Sequence, residues 1–428
     1  MQNMKKWMVS VILMAVIVSI VSNVFGASVV TEFQLTTDTN TQWRPSVFGN
    51  YVVWQDQRNG NADIYGYDLS TGTEFPICTN TFNQEHPTIY SSTVVWYDWR
   101  NGNADIYGYN LGAGTEFPIC TNANNQRLPV IYGSYVVWND WRNGNWDIYG
   151  YNLGAGTEFP ICTNAAHQYF PRTGGNYAVW WDERNGIGNW DIYGYNFSTN
   201  TELPICLDPN NQGYPAVHGN IVAWIDDRNG NWDIYGYDIS TGTEFPICTN
   251  TSDQFRPWVF NDVVVWFDLR NGNQDIYGYQ LSTGTEFQIT TNTSDQRHPK
   301  IYCDTVVWHD RRDGDYNIYG AKLDVNACLG RMPITPYRPV DYNSPMRSLA
   351  SHRISQTSSL LEQVQDTCEQ LKEEGDPRYN KCCVDRLDEV VEMMEMAEKY
   401  FMSGNFIAAN YWALQALELL QEIQECCQ

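Results

Sequence analysis

Arginine, histidine and aromatic residues occupy the two variable positions of a Gln-x-x-Pro motif that occurs seven times in the chain. A guanidinium or imidazolium group pairs with a carboxylate, and an aromatic ring stacks on the face of a sugar. The motif therefore predicts a face that binds an acidic glycan, or a protein loop with an acidic or C-terminal group. The candidate ligand-binding residues at these positions are Arg44, His86, Tyr214, Arg256, Arg297 and His298.

Tryptophans flank the tight turn of a second repeated element, at positions that vary from one repeat to the next. We expect them on the same face as the Gln-x-x-Pro positions, where they would add stacking platforms for a ligand. Packing between neighbouring repeats is an equally open role, because large aromatic side chains are mostly buried. These candidate residues are Trp99, Trp141, Trp146, Trp190 and Trp232.

The second element also carries two aspartates and an arginine, which are Asp56, Asp63 and Arg58 in the first repeat. If Asn59-Gly60 forms a two-residue hairpin turn, Asp56 faces Asp63 and Arg58 lies beside both carboxylates. Catalytic carboxylate pairs are unique within an enzyme, so a sevenfold recurrence predicts a structural Asp–Arg–Asp cluster instead. The recurring arginines are Arg58, Arg100, Arg142, Arg184, Arg228, Arg270 and Arg312.

Other motifs of catalytic or metal chemistry are missing from the sequence. The six histidines have no metal-ligand spacing, and there is no nucleophile elbow, phosphate-binding loop or dinucleotide fingerprint. We predict no catalytic residue, no metal and no cofactor. His86 and His298 share one motif position two repeats apart, which leaves a shared metal site as the lesser alternative. The net charge of −24 disfavours nucleic acid as a partner.

The repeat also specifies the elements that must position these residues. A tryptophan recurs at steps of 42 residues, with one step of 44, as Trp54, Trp96, Trp138, Trp180, Trp224, Trp266 and Trp308. A period in the low forties, built from short apolar runs and Gly/Asn turns, predicts a β-propeller with one four-stranded blade per repeat. The variable Gln-x-x-Pro positions would then ring the channel mouth as a basic arc beside an aromatic arc.

The two ends of the repeat region complement each other. The last repeat stops after its third strand, at residues 318–322, and residues 32–36 match the outer strand of the first repeat, residues 74–78. We predict that this N-terminal strand completes blade seven. A seven-bladed ring closed in this way has no exposed sheet edge to template aggregation.

The run W-x-D-x-R-N-G-N-x-D-I-Y resembles the hairpin of TolB-type periplasmic propellers and their WD40-like relatives. The repeat is also similar to propellers of bacterial and archaeal surface proteins, over residues 32–325. The resemblance implies the propeller fold. For function it implies protein docking, glycan binding or, in a few members, a polysaccharide lyase, because one fold hosts many functions.

The segments outside the repeats predict export and a second domain. Residues 1–26 combine two lysines, an apolar run and small residues at a cleavage point, as in a signal peptide, with an uncleaved membrane anchor as the alternative. Cleavage would take the net charge from −24 to −26. We expect the propeller at 27–325, a Pro-rich linker at 326–354 and a small helical domain, a hairpin or three helices, at 355–428. The predicted location is the periplasm, the cell surface or the medium.

The cysteines divide between the two domains. Cys78, Cys120, Cys162, Cys206 and Cys248 share one outer-strand position, and equivalent sites on neighbouring blades should exceed the Cα separation of a disulfide. We expect these five to be buried free thiols. In the helical domain we expect disulfides, with a zinc site as the lesser alternative, among Cys368, Cys382, Cys383, Cys426 and Cys427.

These observations favour an exported, non-enzymatic binding or scaffold propeller that recognises a protein or a glycan on its loop-rich face. One alternative is a polysaccharide lyase or hydrolase that uses Arg44, His86, Arg256 and His298 in the channel mouth. Another is a structural component of a surface layer. Whether arginine and histidine side chains converge on one point separates the first two hypotheses.

Overall fold

The structure is a computed structural model that describes residues 28–186 and 188–325, together with single positions farther along the chain. The chain divides into two units, Met1–Arg331 and Met332–Gln428. Within the described residues, the first unit consists of seven antiparallel sheets of four strands each. The predicted seven-bladed β-propeller is confirmed. The predicted signal peptide and linker lie outside the described residues.

The strands of each blade follow one another in chain order, and the innermost strand begins at the motif glutamine. Blade one contains β2 (Gln42–Phe48), β3 (Tyr51–Asp56), β4 (Asp63–Asp68) and β5 (Thr73–Cys78). Blade two contains β6 (Gln84–Tyr90), β7 (Thr93–Asp98), β8 (Asp105–Asn110) and β9 (Thr115–Cys120). Blade three contains β10 (Gln126–Tyr132), β11 (Tyr135–Asp140), β12 (Asp147–Asn152) and β13 (Thr157–Cys162). Blade four contains β14 (Gln168–Gly174), β15 (Tyr177–Asp182), β16 (Asp191–Asn196) and β17 (Thr201–Cys206).

The remaining blades repeat this arrangement. Blade five contains β18 (Gln212–His218), β19 (Ile221–Asp226), β20 (Asp233–Asp238) and β21 (Thr243–Cys248). Blade six contains β22 (Gln254–Phe260), β23 (Val263–Asp268), β24 (Asp275–Gln280) and β25 (Thr285–Gln288). Blade seven contains β26 (Gln296–Tyr302), β27 (Thr305–Asp313), β28 (Asp315–Leu323) and, from the other end of the chain, β1 (Val29–Gln34).

The N-terminal strand closes the ring as predicted. β1 pairs antiparallel with β28, with Phe33 opposite Gly320. Glu32 forms an ion pair with Arg312, in the same way that Glu74 pairs with Arg58 in blade one. Both ends of the propeller are therefore held in one sheet.

The core lies between the blades, because both faces of each sheet pack on a neighbour. The second strand of each blade is a continuous apolar run, as expected for a strand covered on both sides, and Val52, Val53 and Trp54 are fully buried. In the third strand, the glycine of Tyr-Gly-Tyr makes room for an aromatic ring of the outer strand. A Cβ atom on Gly66 would lie 2.8 Å from the ring of Phe75.

The predicted Asp–Arg–Asp cluster is wrong in its third member. Asp56 does lie opposite Asp63, but residues 57–62 form a longer loop in which the Gly60 amide donates to the Gln57 carbonyl. Arg58 is thereby turned outward, and it donates to Asp56 through Nη2 at 2.6 Å and to Glu74 on the outer strand. Asp63 accepts instead from the Asn59 side-chain amide at 2.7 Å. The repeated arginines are structural, as the sevenfold recurrence predicts.

The five outer-strand cysteines are buried free thiols, which confirms the prediction. Burial raises the pKa of each of these thiols to about 12, with Cys120 as an example, so they are inert. The Cys120 sulfur accepts a hydrogen bond of 3.4 Å from Arg142 of the next blade. Cys303, which the sequence analysis did not assign, and Cys368 are both disulfide-bonded. Cys382, Cys383, Cys426 and Cys427 lie outside the described residues.

The second unit is described at eight positions, all of them helical: Thr357, Leu360, Val364, Cys368, Val390, Ala416, Leu420 and Ile423. Seven of them are buried and Leu360 is half-buried. Helix is the structure that the sequence predicts at these positions. In the part of the chain that the structure describes, none of the helices combines the length and apolar character that a membrane span requires.

Candidate functional site

The residue before the proline of every Gln-x-x-Pro motif adopts a left-handed backbone conformation. The φ angles lie between 48° and 57° at Arg44, His86, Leu128, Phe170, Tyr214, Arg256 and His298. Each coincides with a register shift in the innermost strand, as between Trp43 and Ser46 in blade one. Left-handed φ costs a residue with a side chain about 1 kcal/mol or more, and glycine is the usual solution. All seven positions nevertheless carry a residue with a large side chain and not glycine. This indicates that the side chains themselves are needed there.

These seven residues form the mouth layer of the channel. Alternate positions of the innermost strand point the same way, so the residues after the proline form a middle layer. Its members are Ser46, Thr88, Val130, Arg172, Ala216, Trp258 and Lys300. One cavity, open to solvent, is lined by residues of both layers.

The basic pocket is defined by the six basic side chains that line this cavity: Arg44, His86, Arg172, Arg256, His298 and Lys300. All six are half-buried. Among the described residues, none of these arginines or Lys300 forms an ion pair with a carboxylate. Arg44, His86, Arg256 and His298 thus line one cavity, which both the binding hypothesis and the lyase hypothesis require.

The electrostatics of the basic pocket disfavour further positive charge. Withdrawal from water lowers the pKa of Lys300 well below its ordinary value, and the charges of Arg172 and Arg256 lower it further. Burial, followed by the charge of Arg256, lowers the pKa of Arg172 to about 10. Burial, then Arg44, holds the pKa of His86 well below 6.5, so this imidazole is neutral at pH 7. An anion in the pocket would relieve the repulsion.

Aromatic rings position several of the cations. The guanidinium carbon of Arg256 lies 4.6 Å from the centre of the Tyr214 ring. Arg172 and Lys300 both lie against the Trp258 ring, at 5.5 Å and 3.1 Å from its centre. Each contact is a cation–π interaction that fixes a flexible side chain without neutralising it.

The sequence analysis missed Arg172 and Lys300. It considered only the two variable positions inside Gln-x-x-Pro, whereas these residues follow the proline and belong to the middle layer. The alternation of side chains along a strand was the signal that could have found them. Arg172 also brings positive charge to blade four, whose two variable motif positions are the aromatic residues Tyr169 and Phe170.

The first variable position of the motif does not face the channel, and here the prediction is wrong. Because of the register shift, these side chains lie over the second strand: Tyr169 is paired with Trp181 and Arg297 with His309. Arg297 forms an ion pair of 3.0 Å with Asp295. It is therefore placed outside the basic pocket.

The predicted tryptophans lie on the same side as the channel mouth, in a series of side-chain contacts that we call the aromatic arc and in which Arg127 and His167 join some of the rings. It consists of Trp99, Trp141, Trp146, Tyr169, Trp181, Trp190, Trp232 and Phe255. Arg127 bridges Trp99 and Trp146, at 4.9 Å and 5.9 Å from the two ring centres. His167 lies between Trp141 and Tyr169.

Most of the aromatic arc is half-buried, with Trp181 as its buried member. The rings therefore pack between blades and present area to solvent at the same time, so both predicted roles stay open. Tyr214 connects the arc to the basic pocket, because its ring lies 5.3 Å from Trp181 and also carries Arg256.

A metal site is a separate question. Among the described residues, no group of three or more His, Cys, Asp or Glu side chains is arranged to hold a metal ion. His86 and His298 line the same cavity, with Arg44 of blade one between their blades. A guanidinium at that place does not suit a shared cation.

Comparison with known proteins gives the fold. No protein-family model matches the chain, and no curated protein matches it. Among solved structures, an oligogalacturonate lyase in complex with manganese is 13% identical and covers 69% of this chain and 94% of its own, with a TM-score of 0.54. An oligogalacturonate lyase from Vibrio parahaemolyticus is 12% identical, with coverages of 69% and 96% and a TM-score of 0.53.

The β-propeller domain of the Trilobed protease from Pyrococcus furiosus is 12% identical, with coverages of 66% and 96% and a TM-score of 0.55. This chain is a β-propeller. That domain is described as having an open velcro topology, whereas β1 closes the last sheet here. At these identities the likeness extends to the fold alone.

Proposed function

We propose that this protein is an extracytoplasmic binding propeller of the TolB-type repeat class that holds an acidic glycan at its channel mouth. The observation that carries the proposal is the basic pocket. Arg44, Arg172, Arg256 and Lys300 line one cavity, without an ion pair to any described carboxylate, in a chain of net charge −24. Half-buried cations without counterions are costly, and an anionic ligand offsets that cost.

The aromatic arc supports a sugar rather than a small inorganic anion. Tyr214 connects the basic pocket to Trp181 of the arc, whose rings continue across blades four and three. A ligand with a carboxylate in the pocket could therefore lay apolar sugar faces on successive rings. Trp190 and Trp232 are nearly parallel, with an interplanar angle of 16°.

The extracytoplasmic location rests on the N-terminal sequence and on the cysteines. Cys303 and Cys368 are disulfide-bonded, and disulfides persist mainly in oxidising compartments. The Trp-x-Asp-x-Arg hairpin supports the TolB-type assignment, because its tryptophan, aspartate and arginine form one hydrogen-bonded unit in the structure. Trp54 Nε1 donates to Asp56 at 2.9 Å, and Asp56 accepts from Arg58.

Calorimetric titration with uronate oligosaccharides tests the proposal. We expect binding that weakens as salt rises, because ions screen charge pairing, while neutral oligosaccharides of the same length bind at least about tenfold more weakly. Arg256→Gln should weaken uronate binding about tenfold. Lys322→Gln is the charge-matched control, because Lys322 is half-exposed and paired with Asp304, and it should leave the affinity unchanged.

The aromatic arc has its own variant. Trp146→Ala should weaken binding about three- to tenfold at every salt concentration, since stacking is not screened. Capture of acidic peptides in place of uronates would replace the glycan proposal with protein docking. Failure of uronates, neutral glycans and acidic peptides alike, with the fold intact, would favour the surface-layer role.

A lyase is the second candidate, because His86 and His298 line the same cavity as Arg44 and Arg256. Burial, first of all, keeps the pKa of both imidazoles well below 6.5, so each can accept a proton. β-Elimination would move the C5 proton of a uronate to one imidazole, form a C4–C5 double bond and break the C4–O bond to the neighbouring sugar. The oxygen leaves with that sugar and becomes a hydroxyl by taking up the proton of the new imidazolium or a proton from water. New unsaturated ends that absorb in the ultraviolet would establish this activity.

A further inference from the structure

The channel narrows to an aromatic collar below the basic pocket. The collar consists of the third channel-facing residues of the innermost strands: Phe48, Tyr90, Tyr132, His218, Phe260 and Tyr302. Neighbouring ring centres lie 4.3 to 5.6 Å apart all the way round. These are van der Waals contact distances for aromatic rings, so the six rings form a closed circle.

Gly174 is the seventh position of this layer, and it lets the circle close with six rings. A Cβ atom at Gly174 would lie 2.1 Å from the carbonyl oxygen of Val217, so no side chain fits there. Blades four and five approach closely as a result, and Tyr132 meets His218 across the gap. The Asn261 amide donates to Nδ1 of His218 at 3.1 Å and holds that ring in place.

The collar is too narrow for a sugar chain to thread. Six objects of equal width that touch in a circle enclose a central gap of about the same width. In the aromatic collar this width is the contact distance between neighbouring rings. A pyranose that carries hydroxyls and a carboxylate is wider than this gap. A ligand that enters at the mouth layer must therefore leave by the same opening.

The middle layer places two cations directly above the collar. Arg172 and Lys300 flank Trp258, and Lys300 also lines the space that reaches down to Tyr302 and His218. Arg172 donates to the Pro171 carbonyl at 2.8 Å. An internal sugar of a linear glycan could contact Arg172 and Lys300 only if the glycan folded back on itself inside the channel.

We infer that the propeller recognises the end of an acidic glycan, with the anionic group of the terminal sugar between Arg172 and Lys300 and the following sugars leaving over the aromatic arc. This inference rests on the proposed function. It specifies the substrate class as chain termini and assigns a role to two cations that the motif does not include.

Stoichiometry against chain length tests the inference on the unaltered protein. Linear uronate oligosaccharides of increasing length should each bind one protein per chain, whatever their length. A number of bound proteins that rises in proportion to chain length would overturn end recognition while leaving glycan binding intact. The absence of binding at every length would instead overturn the proposed function on which the inference rests.

A uronic acid monosaccharide tests the depth of the site. It should compete with the oligosaccharides for one site, and Lys300→Gln should weaken its binding at least about tenfold. Lys322→Gln removes the same charge outside the channel and should have no effect. Monosaccharide binding that is unchanged in Lys300→Gln would show that the terminal group does not reach the middle layer, which overturns the assignment.

Discussion

The imidazole Nδ1 of His309 accepts a hydrogen bond of 3.2 Å from the backbone amide of Arg44, across the junction between blade seven and blade one. The same contact occurs twice more around the ring. Gln55 accepts from the amide of His86 at 3.4 Å, and Asn139 accepts from that of Phe170 at 3.1 Å. A side chain of one blade thus holds the left-handed residue of the next.

His309 is therefore a positioning residue for Arg44, and the repeat supplies its own controls. His309→Gln copies the residue of blade one, keeps an acceptor and should preserve uronate affinity. His309→Phe copies Phe267 of blade six and removes the acceptor, so it should lower the affinity about tenfold through Arg44. Calorimetry on both variants checks this, and equal affinities would show that the contact does not position Arg44.

Much of the fold could be predicted because its signals are local and repeated. Seven copies of one tryptophan and one Gln-x-x-Pro specify seven blades, and the match of residues 32–36 to 74–78 specifies their closure. Part of the basic pocket could be predicted for the same reason. Arg44 and His86 occupy equivalent positions of a motif whose glutamine and proline are the same in every repeat.

The rest of the site depends on register, which the sequence does not show. The shift between Trp43 and Ser46 turns the first variable residue away from the channel and the second into it. The same shift makes Arg172 and Lys300 channel residues. The aromatic collar requires the close approach of Gly174 to Val217, a contact between two blades that no local pattern specifies.

Arg142→Ala tests the structural role of the repeated arginine. Asp140 is fully buried, and it accepts from Nε of Arg142 at 2.9 Å and from Nη2 at 2.6 Å. Removal leaves a buried carboxylate without its cation, at a cost of about 2–4 kcal/mol in the free energy of unfolding.

Chemical denaturation checks the Arg142 prediction against Arg311→Ala. Arg311 is exposed; its Nε lies 3.3 Å from the Gly314 carbonyl, and its guanidinium carbon lies 5.9 Å from the centre of the Tyr316 ring. Arg311→Ala should lower the free energy of unfolding by less than about 0.5 kcal/mol. If the two variants unfold at the same denaturant concentration, the Asp–Arg pair contributes no more than a surface contact.

The burial of His218 predicts that the folded protein loses stability in acid. Burial lowers its pKa to about 4, and the amide of Asn261 donates to its Nδ1, which favours the neutral ring. The unfolded chain binds a proton below about 6.5 and the folded chain does not until about 4, so stability is present above pH 6.5 and is lost as the pH falls towards 4.

His218→Phe preserves the ring in the aromatic collar and removes its titration. The difference in melting temperature between pH 7.5 and pH 5 should be smaller in this variant than in the parent. His86, His298 and His309 have pKa values lowered in the same direction, so part of the acid sensitivity persists. An unchanged difference would show that His218 titrates normally in the folded protein.

Closure by β1 predicts that Phe33 contributes to stability although it lies near the first of the described residues. Its ring covers Gly320, whose Cβ would lie 2.7 Å away, and Leu35 donates to the Ile318 carbonyl at 2.8 Å beyond it. Phe33→Ala should destabilise the propeller by about 1–3 kcal/mol, less than a fully buried phenylalanine because Phe33 is half-buried. Phe82→Ala is the matched control, since Phe82 is 51% exposed and should be almost neutral. Calorimetric melting of the full chain measures both.

Deleting the residues before position 37 should lower the melting temperature further, because the edge of β28 is then exposed and its ladder unpaired. A deletion variant that melts like the parent would show that the ring is held together without β1.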